Sequence, residues 1–125
     1  MTKHRLIYLP LGGAGEIGMN AYVYGWGAPG AERLILVDLG VTFPDMDTTP
    51  GVNLIMPDIG FLKDNLDRLE AIFVTHAHED HVGAIGRLWR ELQVPVYALA
   101  FTGHIARLKM EDAGQDPLAV EIVEP

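Results

Sequence analysis

The stretch VTHAHEDHVGAIG, residues 74 to 86, places His76, His78, Asp80 and His81 within six consecutive positions. Neutral imidazole binds zinc at about 2.0–2.1 Å, and carboxylate does so at a similar distance. In an extended segment residues two apart point the same way, so His76 and His78 are expected to converge on one point. The following residues read as a helix, so the chain must turn, and the turn brings Asp80 and His81 beside the first two. Four ligands exceed what a single catalytic ion with an open position takes. The spacing therefore predicts two ions, with His76 and His78 on one and Asp80 and His81 on the other. The competing reading is a surface histidine cluster with no metal.

The elements that must position these residues follow from periodicity. RLIYLPL (5–11), NAYVYGW (20–26) and RLILVD (33–38) read as strands, the first two forming a hairpin-like pair around the glycine-rich GGAGEIG. Residues 39–57 hold three prolines and no steady period, which predicts a long ordered loop. DIGFLKDNLDRL (58–69) reads as a helix with Asp58 as N-cap and Ile59, Leu62, Leu66 and Leu69 on one side. EAIFVT (70–75) is a strand that delivers the histidine cluster at its C-terminal end. A helix over 82–92, a strand over 94–100, a helix over 102–114 ended by Gly114, and a strand over 118–125 complete the order. Helices following strands predict a sheet with helices on at least one face.

Several residues near the cluster admit two readings. The cluster is expected at the N-terminus of the 82–92 helix, whose unpaired N–H groups favour an anion. Gly83 and Gly86 cost helix propensity, explained either by close approach of a substrate or by tight packing. The glycine loop either borders a nucleotide site through backbone N–H groups or is a plain turn; Gly13, Gly15 and Asn20 are its candidate substrate contacts. Glu79 is expected to face solvent. His4 and His104 are expected to be structural or surface residues.

The length allows one domain. The composition, 49% hydrophobic and 21% charged, is that of an ordinary globular protein. No apolar run approaches the twenty or so residues of a membrane span, and the N-terminus does not read as a signal peptide. With no cysteine, thiolate ligands and disulfides are excluded. This fits a cytoplasmic protein and a site built from nitrogen and oxygen donors for zinc, manganese or iron. The net charge of −8 argues against a polyanionic partner, although two divalent ions would place positive charge where a phosphate would sit. If the substrate is RNA, much of the basic track must come from outside these residues.

THAHEDHVGA resembles the His-x-His-x-Asp-His signature of the metallo-β-lactamase superfamily. LPLGGAGEIGMN, LVDLGVTFPD and GVNLIMPDIGFL resemble more narrowly the start of the ribonuclease J family, in the β-CASP branch; together the match covers residues 5 to 114. The resemblance implies an α+β fold, the N-terminal part of an αββα four-layer sandwich, with the β-CASP and C-terminal domains absent from this chain. It implies a hydrolase with two zinc ions (manganese being the alternative) that cuts RNA by metal-activated water, as both a 5′–3′ exonuclease and an endonuclease. His76 and His78 would hold one ion and Asp80 and His81 the other, with Asp80 and His81 taken as catalytic. Asp38 matches the superfamily's first acidic position, which orients the ligands from behind. Met19 departs from the lysine the family commonly carries there. A third histidine and a bridging aspartate are expected further along than Pro125, so these 125 residues are expected to be incomplete for catalysis. A homo-oligomer, dimer or tetramer, is implied for the full-length protein. The alternatives are another hydrolase of this fold, acting on a thioester or a β-lactam, and a non-catalytic metal-binding fragment.

Overall fold

The apolar runs of the first third of the chain become three strands: β1 (Arg5–Gly12), β2 (Ala21–Gly27) and β3 (Arg33–Val37). In this computed structural model residues 3–15, 18–43, 51 and 54–125 are described. After β3 come α1 (Gly60–Lys63), β4 (Leu69–Phe73), α2 (Glu79–Val82), α3 (Ile85–Leu92), β5 (Val96–Ala98), α4 (Ala100–Asp112) and β6 (Val120–Ile122). Single 3-10 turns precede β4 and β6. The six strands form one mixed sheet in sequence order. β1, β2 and β3 pair antiparallel, while β3 through β6 run parallel, each parallel step crossing over through helical chain. The α+β class that the resemblance implies and the sheet with helices on at least one face are both present. Pro10 sits in the edge strand β1, the kind of strand to which proline is largely confined.

One face of the sheet carries the core. Leu36, Ile72, Val96 and Val120 lie in register across four strands and are fully buried. Against them pack Leu62, Val82, Ile85, Leu92, Ala106 and Met110 from the helices. The opposite face is aromatic and open: Tyr8 lies against Tyr24, Phe73 stacks on Tyr97, and Trp26 is 57% exposed. Among the described residues the fold is thus two layers, a six-stranded sheet and the helices packed on one of its faces. No helix of the described residues is long and apolar enough to cross a membrane.

The structure corrects several element boundaries. The helix expected over 58–69 is only α1 and a 3-10 turn, although Asp58 does accept the Gly60 N–H at 2.8 Å. Asn65 breaks it by turning its amide back onto the Phe61 carbonyl, an alternative that Asn side chains offer to helical hydrogen bonds. Leu69, expected as the last helical residue, opens β4. The helix expected over 82–92 begins earlier and is interrupted: α2 ends at Val82 and α3 starts at Ile85. The dipole of a long helix therefore does not point at the histidine cluster. The predicted strand 118–125 shortens to β6 after a 3-10 turn capped by Asp116.

Glu32, in the turn before β3, is a buried carboxylate that the pattern did not flag. It accepts from Arg5 Nε at 2.7 Å and from Arg68 Nη1 at 3.0 Å, joining β1 to the turn before β4. Hydrogen bonding from its own backbone N–H, then from Arg5, lowers its pKa to about 2 from the ordinary 4.5. A depressed carboxylate contributes stability above its unfolded value and loses it as pH falls through its folded value. The thermal midpoint of the native chain is therefore expected to exceed that of Glu32→Gln near neutral pH. The gap should close as pH is lowered from about 4.5 to about 2, which a series of melts would read.

Candidate metal centre

The site forms where β3 and β4 end side by side, at the carboxyl edge of the parallel part of the sheet, where open sheets with crossover helices place their crevices. β3 runs out at Val37, and Asp38 follows with φ of +66°, a left-handed conformation that Asp tolerates better than most residues. Its N–H still bonds the Phe73 carbonyl at 2.7 Å, so the turn begins in register with β4. The carboxylate is 3% exposed and fully engaged. It accepts from Thr75 N at 2.7 Å, from the Thr75 hydroxyl at 2.8–2.9 Å, and lies 2.7 Å from His81 Nδ1.

Thr75 also meets the neighbouring imidazole, its Oγ1 lying 2.9 Å from His76 Nδ1. The His76 and His81 rings are 4.5 Å apart between centroids. Ligand atoms of Asp38, His76 and His81 all fall within 4.8 Å of one another, a spacing compatible with one shared ion. Because the Asp38 oxygens are already occupied by three groups, the carboxylate acts as the support of the imidazoles. Two imidazoles supported from one side, with an acid beside them, are a donor set that suits zinc or manganese.

The expectation that His76 converges with His78 differs from this arrangement, in which His76 meets His81. Period-two alternation holds only in a paired strand, and β4 stops at Phe73. His78 instead stands at the N-cap of α2 with an exposed side chain, outside the three-residue group. Asp80 lies alongside, its Oδ2 3.8 Å from His81 Nε2. Neither Thr75 nor the strap described next was singled out from sequence. Threonine is too common in strands to signal anything, and the strap's contacts span about forty residues of chain.

That strap is Leu39–Gly40–Val41, part of the expected loop 39–57. Leu39 N bonds the His81 carbonyl, Val41 N the Glu79 carbonyl, and Ala84 N the Leu39 carbonyl, at 2.9–3.0 Å. Asn20 completes the cradle: its backbone N–H and its side-chain amide both donate to the Asp80 carbonyl at 2.9 Å. The Asn20 oxygen accepts from Tyr22 OH at 2.7 Å. Asn20, a candidate substrate contact, thus holds the backbone of the metal loop. Gly13, with φ of +89°, backs onto Tyr22 and Asn20, whereas Gly15 faces open space. Met19, at φ of +33°, donates its N–H to Val41. Residues 16–17, 44–50 and 52–53 of the glycine loop and long loop lie outside the described residues.

Gly83 and Gly86 are explained by packing. A Cβ on Gly83 would meet Val41 Cγ2 at 2.7 Å, and one on Gly86 would meet the backbone carbonyl carbon of Lys109 in α4 at 2.9 Å. Glu79, expected to face solvent, is only partly exposed and forms an ion pair with Lys109. His104 is exposed on α4 and His4 packs edge-on against Trp26. A groove of about 370 Å³ borders the loop on the far side, lined by Phe43, Leu54, Glu79, Arg87 and Lys109 among others, and neither His76 nor His81 lines it.

Comparison with known proteins places these observations. Residues 14–118 match the family described as the metallo-beta-lactamase superfamily. The chain is 55% identical over 104 residues to a Ribonuclease J of Sinorhizobium meliloti, covering 83% of this chain and 18% of that protein. It is 44% identical over 115 residues to a Ribonuclease J of Mycolicibacterium smegmatis (91% of this chain, 20% of that protein). To a Ribonuclease J of Mycobacterium tuberculosis it is 39% identical over 125 residues (99% and 22%). The chain spans about a fifth of the length of these curated relatives.

Proposed function

Because this chain belongs to the metallo-β-lactamase superfamily, we propose that it is the N-terminal part of the catalytic domain of a metal-dependent ribonuclease. The observation that carries the reading is the pair of imidazoles, His76 and His81, backed by Thr75 and Asp38 at the ends of β4 and β3. The similarity to proteins named Ribonuclease J supports RNA as the substrate class. In this reading His76 and His78 serve one ion and Asp80 and His81 a second, zinc being preferred and manganese the alternative. Divalent ions in such a site supply a Lewis acid for the phosphoryl oxygen and lower the pKa of coordinated water towards roughly 7.

The chain's own residues do the positioning. Asp38 and Thr75 hold the imidazoles, the strap Leu39–Val41 and Asn20 fix the loop backbone, and Asp80 is presented beside His81. Both exonucleolytic and endonucleolytic cutting, a cytoplasmic location and a homo-oligomeric full-length protein belong to the same proposal. The absence of cysteine supports the location, and the family resemblance supports the rest. With about a fifth of the relatives' length, the 125 residues alone are proposed to bind metal without turnover.

Calorimetric titration of the chain with Zn²⁺, and parallel RNA-cleavage and thioesterase assays on the full-length protein containing it, test the reading. Weak zinc binding by the chain, with RNA cleavage by the full-length protein that is lost in His81→Ala, is the expected result. Thioester hydrolysis without RNA cleavage would transfer the assignment to another hydrolase of this fold. Rapid RNA turnover by the isolated 125 residues would overturn their proposed incompleteness.

A further inference from the structure

Thr75 carries one hydroxyl hydrogen and stands between two acceptors. Its Oγ1 lies 2.8 Å from Asp38 Oδ2, 2.9 Å from Asp38 Oδ1 and 2.9 Å from His76 Nδ1. A carboxylate can only accept, so the hydroxyl hydrogen goes to Asp38. The Thr75 oxygen is then left as an acceptor, and His76 must donate to it from Nδ1. The same carboxylate accepts from His81 Nδ1 at 2.7 Å. The acceptor-only carboxylate thus determines both rings, His81 directly and His76 through the Thr75 hydroxyl: each neutral imidazole carries its proton on Nδ1, and each keeps its lone pair on Nε2. The Thr75 backbone N–H, donating to Asp38 Oδ1 at 2.7 Å, locks the carboxylate orientation that starts the chain.

We infer that Thr75 is a positioning residue which, acting through Asp38, sets the tautomer of His76 and matches it to that of His81. Both Nε2 atoms are thereby left free for the divalent ions of the proposed site. Metal-ligating histidines are held in this way by the partner of their other nitrogen, and loss of that partner costs 10–100-fold in metal affinity. The usual partner is a carboxylate or a carbonyl. Here His81 has the carboxylate directly, and His76 reaches it through a hydroxyl. The inference deepens the metal-hydrolase reading for the zinc-bound state, while its statement about tautomers concerns the metal-free chain as well.

The test uses the 125-residue chain labelled with ¹⁵N in its histidines, together with Thr75→Val and Thr75→Ser. Two-bond ¹H–¹⁵N spectra of the metal-free protein at a pH where the rings are neutral should show His76 and His81 both protonated on Nδ1. In Thr75→Val, His76 should shift towards the Nε2–H tautomer while His81 keeps its own. Thr75→Ser, which retains the hydroxyl, should restore the native pattern. Zinc affinity measured by competition with a chromophoric chelator should fall about 10–100-fold in Thr75→Val and stay within a few-fold of native in Thr75→Ser.

Native His76 protonated on Nε2, or a Thr75→Val chain with unchanged tautomer and unchanged zinc affinity, would overturn the inference. If Thr75→Val fails to fold, the native spectrum and the serine variant still decide it. A native chain that binds no zinc yet shows both Nδ1–H tautomers would count against the metal-hydrolase reading and leave the inference about Thr75 standing.

Discussion

Replacing Gly40 by alanine is expected to destabilise the chain by about 3 kcal/mol or more, at the upper end of the range for a side chain forced into a filled space. A Cβ at this position would overlap the Asp80 carbonyl and lie 2.7 Å from His81 N. The obstruction is backbone on both sides. Leu39 and Val41 are bonded to His81 and Glu79, so the strap cannot move off without breaking those bonds. A loss of this size should lower the thermal midpoint by roughly 10 °C in a domain of this length. It should also weaken zinc binding, because the displaced segment carries Asp80 and His81. Gly60→Ala is the matched control: a Cβ there meets only the end of the Asp58 side chain, at 3.1 Å, and alanine suits a helix better. Melts of both variants beside the native chain check the prediction. Equal midpoints for Gly40→Ala and the native chain would show that the strap is not held as described.

Asp38→Asn should have the second large effect, this time on metal binding. Asparagine tolerates the left-handed backbone at φ of +66°, so the substitution leaves the turn unstrained. It nevertheless puts an NH₂ group where one carboxylate oxygen accepts. Either the His81 Nδ1–H or the Thr75 donors then face a donor, with no room at a residue 3% exposed for water to intervene. The expected outcome is a 10–100-fold loss of zinc affinity, together with about 1–3 kcal/mol of lost stability for the unsatisfied group. Asp38→Ala should be less stable still, because alanine in that conformation adds about 1–2 kcal/mol of strain. Chelator competition and chemical denaturation separate the two effects. An asparagine variant with native zinc affinity would remove Asp38 from the role assigned to it.

Much of this was legible in the sequence, for reasons that differ by element. Strands β2 and β3 declare themselves because one side of each is core, with Val23, Leu34 and Leu36 fully buried, and β1 because Ile7, Leu9 and Leu11 alternate as partly buried residues against that core. The histidine cluster is legible because the spacing is local, and the fold does bring His76, His81 and Asp38 together. What stayed hidden depends on contacts between distant segments. The strap Leu39–Val41 reads as loop because nothing in its own composition announces a partner forty residues away. The meeting of His76 with His81, and the exposed position of His78, follow from where β4 ends, and local alternation does not reveal that end. The break at Asn65 was missed because Leu62, Leu66 and Leu69 keep helical spacing across it. Asn20 looked like a ligand contact because it follows a glycine-rich loop, and only the fold reveals that its amide donates to Asp80.

The central claim is that His76 and His81, their Nδ1 atoms held by Thr75 and Asp38, present their Nε2 atoms to the divalent ions of the site. Histidine-selective ¹⁵N spectra recorded while Zn²⁺ is titrated into the 125-residue chain test it most directly. The account predicts that the Nε2 resonances of both residues shift as Zn²⁺ is added, while their Nδ1 atoms keep their protons. Shifts confined to His4 or His104, or Nε2 resonances of His76 and His81 that stay in place at saturating zinc, would contradict it.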